Sequence, residues 1–158
     1  MKYDFYCDKT VLVKHILYFS KKKYLQDEAL SDLDISIFCE VKIFSWLMRY
    51  VRWKEYSENM EKFDEILKER KLKTPHKPEI TKEKCLSILV SSHFLNIPEL
   101  YEEATLLVKD QLAYLIKHKY QFDLINKEII RKLALLCSDS ELYALEDPTD
   151  RVKSRLYE

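Results

Sequence analysis

Hydrophobic positions repeat with period two in two short stretches and with a helical period over most of the remaining chain. Tyr3, Phe5 and Cys7 alternate with Asp4 and Tyr6, and Ile35, Ile37 and Cys39 alternate with Asp34, Ser36 and Phe38. Such alternation sends successive side chains to opposite faces and predicts two short strands, each with one buried face. From Val41 the period changes. Phe44, Leu47, Met48 and Val51 recur at helical spacing, while Ile43, Trp46, Tyr50 and Trp53 form a second apolar row on a neighbouring face. A helix with two apolar faces needs two partners, one being the domain's own core and the other a further segment or another chain.

Helical periods continue on both sides of this segment. Asp8 or Thr10 can cap a helix running to about Leu25, with Leu12, Ile16 and Phe19 in one row and Val13, Leu17, Ser20 and Tyr24 in another. The acidic stretch QDEALSDL then reads as an exposed linker. Beyond Trp53 a highly charged segment contains one short amphipathic pattern at Phe63, Ile66 and Leu67, which Pro75 and Pro78 bring to an end. Thr81 starts the helix CLSILVSSHFL, and Asn96 supplies a left-handed C-terminal cap. Pro98 opens the next helix at its first position, where a missing amide costs nothing. That helix carries Leu100, Ala104, Leu107, Val108, Leu112 and Leu115 on one stripe. Two more helices are expected, from Asn126 to about Cys137 and from Asp150 onward, with Asp147 and Pro148 between them.

Composition narrows the function classes. A chain of 158 residues forms one domain with a sizeable core, and 47% hydrophobic with 34% charged residues fits a globular protein. No apolar run approaches the roughly 20 residues of a membrane helix, and the N-terminus lacks a signal-peptide pattern, so cytoplasm or nucleus is expected. Glycine is absent. Phosphate-cradling loops, dinucleotide fingerprints and nucleophile elbows all rely on it, which argues against nucleotide enzymes and hydrolases. Basic and acidic residues each number 27, so no net field draws the chain to nucleic acid or anionic lipid. Cys7, Cys39, Cys85 and Cys137 include no CxxC pair and read as reduced thiols.

The order of elements and two motifs resemble a BTB/POZ domain. VLVKHILYF, residues 11–19, is similar to the first BTB helix, and LVSSHFLNIPELYEEA, residues 89–104, to its helical hairpin. DISIFCEVKIFSWLMRYV and CLSILVSSHFLNI resemble more closely the divergent BTB domain of the SANT-and-BTB regulator family. The resemblance implies an α+β, mostly helical fold with a small sheet packed on a helical bundle. It places a BTB/POZ-like domain over residues 1–120, with a charged loop at about 54–84, and a helical extension over 121–158. It further implies a homodimer that recruits regulatory partners such as transcriptional corepressors. The first helix lies at the two-fold contact of BTB domains, so Val13, Leu17 and Tyr24 are the dimer candidates. Trp46, Tyr50, Trp53 and Phe63 are the partner-binding candidates. A cullin adaptor, meeting the cullin through the helices between Trp53 and Leu67, is the alternative within binding modules.

Groups that mimic reactive chemistry are weak. Cys7 and Cys39 with His15 or His93 lack regular zinc-ligand spacing and read as buried thiols. His93 with Ser91, Ser92 and Glu102 has no glycine at the turn, and Glu102 and Glu103 point about 100° apart on a helix. No catalytic, metal or cofactor site is expected. Lys68, Arg70, Lys71, Lys73, Lys77, Lys82 and Lys84 form one basic concentration, interrupted by Glu69, Glu79 and Glu83. They read as a solvated loop, with a nucleic-acid-binding helical domain as the alternative of another class.

Overall fold

The computed structural model describes residues 5–20 and 39–158. Among these residues every regular element is a helix. The expected small sheet is therefore corrected: residues 5–8 and 39–40 form no strand, while Ile35 and Ile37 lie outside the described residues. Side chains, not a ladder, fix residues 5–7. The ring of Phe5 packs edge-on against Phe44 at 4.9 Å, and the Arg52 guanidinium donates to the Tyr6 carbonyl at 3.5 Å. Three alternating residues cannot distinguish such an anchored chain from a strand, which needs a hydrogen-bonded neighbour.

Contacts divide the chain into two compact units, one containing the described residues of Met1–Glu79 with Phe94–Ile97, the other Ile80–His93 with Pro98–Glu158. In the first unit, α1 (Lys9–His15) begins at Asp8, whose carboxylate accepts from the Thr10 amide. It stops at Ile16, and α2 (Leu17–Ser20) follows with its direction reset, because the Leu17 amide donates to the Asn96 carbonyl at 3.1 Å. The expected continuous helix is thus broken. α1 packs on α3 (Val41–Glu58), which leads into α4 (Met60–Glu69). Both apolar rows of α3 contribute buried residues: Leu47, Met48 and Val51 from one, Ile43, Trp46 and Tyr50 from the other.

In the second unit the long helix expected after Pro98 is two helices, α6 (Pro98–Asp110) and α7 (Leu112–Lys117), separated at Gln111. α5 (Cys85–Leu95), which belongs to this unit as far as His93, is initiated by the Thr81 carbonyl, which accepts from the Cys85 amide at 2.9 Å. α8 (Lys127–Leu136) packs on α6 and on α10 (Lys153–Tyr157), and α9 (Asp139–Ala144) lies between α8 and α10 in sequence. Asn126 caps α8 by accepting from the Ile129 amide at 2.9 Å. Where glycine would ordinarily reverse the chain, Lys71, Asn96, Lys119 and Asp150 take φ between 52° and 56°. Asn96 thereby forms the left-handed cap expected after α5. No helix of the described residues is long and apolar enough to cross a membrane.

Candidate interaction site

The break at Ile16 creates an apolar shoulder in the first unit. Ile16 and Phe19 turn inward and are buried, which leaves Leu17 36% exposed. Tyr18 bridges this point to Phe94, its ring 5.3 Å from the Phe94 ring, and Phe94 is itself 52% exposed. Leu17 and Phe94 thus belong to one surface, tied together by Tyr18 and by the hydrogen bond from Leu17 to Asn96. Of the other dimer candidates, Val13 is half-buried and Tyr24 lies outside the described residues.

Three of the four partner candidates form a ladder along α3, and the fourth, Phe63, lies on α4. Trp46 stacks on Tyr50 at 5.8 Å with the rings 11° apart, and Tyr50 meets Trp53 at 5.7 Å. Trp46 and Tyr50 are only 2% and 3% exposed, whereas Trp53 and Phe63 are half-buried. Part of their cover comes from the charged loop. The Trp46 indole donates to the Glu79 carbonyl at 3.0 Å, and the Lys77 ammonium lies 5.3 Å from the centre of the Trp53 ring.

A polar network joins α1 to α3. His15, whose side chain is only 7% exposed, places Nε2 2.7 Å from Glu55 Oε2. A carboxylate can only accept, so the hydrogen of this contact belongs to Nε2. The Lys14 ammonium lies 2.9 Å from both Glu55 and Glu58. The hydrogen bonds from His15 and then Lys14 hold the Glu55 carboxyl below its usual range, and Lys14 does the same for Glu58. His15, Glu55 and Glu58 bring three ligand atoms within 4.8 Å of one another, an arrangement compatible with a metal ion. Lys14 already supplies the positive charge there, so the cluster reads as an ion-pair network. Sequence spacing had grouped His15 with cysteines because residues forty positions away on α3 carry no local signal.

Other reactive-looking groups are engaged in structural contacts. The Ser92 hydroxyl donates to the Leu89 carbonyl at 3.0 Å, and His93 lies 3.1 Å from Glu128 on α8, so no serine–histidine pair is assembled from Ser92. Glu102 pairs with Lys132. Burial pushes the Cys85 thiol up to about 11 and raises those of Cys7 and Cys137, which keeps all three protonated and unreactive at neutral pH. In the basic concentration, Lys82 lies 4.3 Å over the Tyr114 ring.

Residues 1–105, well over half of the chain, match a family model described as the BTB domain of the SANT and BTB domain regulator of CSR. No solved structure matches the chain.

Proposed function

Since the chain belongs to the family of BTB domains of the SANT and BTB domain regulator of CSR, domains that serve protein interaction, we propose that it self-associates and recruits regulatory proteins. The observation that carries self-association is the apolar shoulder, where Leu17 and Phe94 stand exposed on either side of Tyr18. Water-exposed apolar side chains that cluster gain by being covered, and a two-fold contact with a second copy uses each residue twice. Val13 and Tyr24 belong to the same expected row as Leu17. Trp53, half-buried beside the Tyr50 ring, and Phe63, half-buried on α4, support a second contact for regulatory partners, with transcriptional corepressors as the first class to test. Residues 121–158 are read as the helical extension of the interaction domain.

Sedimentation equilibrium tests the self-association. The unmodified chain should show twice its monomer mass at high micromolar concentration. Leu17→Asp should halve that mass while leaving the circular dichroism spectrum unchanged, because it forces two carboxylates into an apolar contact without disturbing the buried Ile16 and Phe19. A monomeric unmodified chain, or a Leu17→Asp chain that unfolds, would overturn the assignment of this face.

A further inference from the structure

Residues 72–80 carry two prolines three positions apart in the order Pro-His-Lys-Pro, from Pro75 to Pro78. A polyproline II chain completes one turn every three residues, so this spacing directs both rings to one side. Burial follows the same period. Pro75 and Pro78 are half-buried, whereas Thr74, His76, Lys77 and Glu79 are exposed, and residues 73–80 adopt neither helix nor strand.

Two contacts fix the course of this segment over α3. The Glu79 carbonyl receives the Trp46 indole hydrogen, and Lys77 reaches the ring of Trp53. From Trp46 to Trp53 the helix rises about 10 Å. Two residues of extended chain cover about 6 Å, and the long lysine side chain spans the remainder. The segment therefore runs along the aromatic ladder in the direction opposite to α3. An indole donating to a main-chain carbonyl and a cation over an aromatic ring are two of the means by which aromatic-lined grooves hold extended, proline-containing peptides.

We infer that the aromatic row Trp46, Tyr50 and Trp53 is a docking face for an extended partner segment with two prolines three residues apart and a lysine or arginine before the second. The chain's own residues 72–80 hold that face in cis. This rests on the reading of the row as a partner contact, and it is independent of self-association. It names both the partner's chemistry and the segment that must be displaced. The cis segment shows the fit, since it already satisfies the Trp46 indole and the Trp53 face. His76 is exposed, while Lys77 reaches the Trp53 ring, so release of the segment uncovers that ring. Being tethered, it competes at an effective concentration on the order of millimolar, and a partner gains access by binding more tightly than that.

Trp46 and Trp53 are the chain's two tryptophans, so their emission reports this row alone. The probe is a synthetic peptide, KLKTPHKPEITK, added to the full chain and to a variant carrying Pro75→Ser and Pro78→Ser. The variant should show red-shifted emission and stronger iodide quenching with an unchanged helical spectrum. Added peptide should reverse both changes and bind the variant at least about tenfold more tightly than the unmodified chain, because the cis competitor is weakened. Should the double variant fail to fold, Lys77→Ala, at an exposed position, makes the same comparison with a factor of about three. Equal binding to both chains, or no emission change with peptide in either, would overturn the inference. A peptide with both prolines replaced by serine that binds equally well would overturn the proline preference while leaving the row a partner contact. Loss of every peptide response would remove both.

Discussion

The long helix α3 and the short helices α8 to α10 differ in how their starts are secured. α3 has 18 residues, and no side chain of Glu40 caps its start. What keeps it is burial of two apolar rows, with Leu47 and Val51 fully removed from water. α8, α9 and α10 have 10, 6 and 5 residues, too few to persist alone, and each start is satisfied by a side chain. Asn126 caps α8. Ser138 and Glu141 cap α9 reciprocally, and the Asp147 carboxylate accepts from the amides of Val152 and Lys153 at 2.8 and 3.0 Å. Both regions bury apolar side chains, Ile129 and Leu133 among them in α8, but only the second adds placed polar atoms at its helix starts, so loss of a cap should be felt there first.

The largest effect should come from removing volume. Leu47→Ala should destabilise the protein by about 2–5 kcal/mol, read from denaturant or thermal unfolding. An unchanged midpoint would mean that α3 is not held by packing. Removing a cap should cost less: Asn126→Ala should lose about 1 kcal/mol, with faster hydrogen exchange confined to the first turn of α8. Loss of protection throughout α3 as well would erase the contrast.

The smallest effect should come from acid. The amide of Ser138, the ammonium of Lys109 and the hydroxyl of Ser138 draw Glu141 down to about 2. Burial alone would raise Asp147, but the amides of Lys153 and Val152, with Thr149, outweigh it and lower this group too. A carboxyl lowered in the folded state contributes stability that is complete above its ordinary value and fades as pH falls toward the folded one. Protection of the Ser138 amide, its exchange relative to that of an unstructured chain at the same pH, should therefore fall below about pH 4.5 and continue to fall toward pH 2. Glu141→Gln should flatten that dependence. Glu55 and Glu58 are lowered as well, so the junction of α1 with α3 should soften over a similar acid range.

Much of the helical scaffold was legible, for identifiable reasons. Two rows at helical spacing on α3 announced burial on two faces, and Asn126, Pro98 and Asn96 carried local end signals that need no tertiary knowledge. The break at Ile16 was not legible, because the carbonyl that captures the Leu17 amide belongs to Asn96, far along the chain. α9 was passed over although Ser138 and Glu141 spell a capping box, a signal that could have found it. The aromatic row was recognised as needing cover. Its cover was missed because residues 72–80 look like a solvated basic loop, and only the proline spacing hints that they lie against something.

Glycine's absence has a consequence for how readily this protein can change. A chain without glycine has a less permissive unfolded ensemble and loses less backbone freedom on folding. Against that gain stand residues such as Lys71 and Lys119, whose side chains resist the left-handed backbone they occupy, at about 1–2 kcal/mol each. Both are exposed. Each is thus a site where a single replacement by glycine relieves strain without touching the core. Such relief forms a reserve of stability from which destabilising changes elsewhere, including new contacts on the aromatic row, can be tolerated.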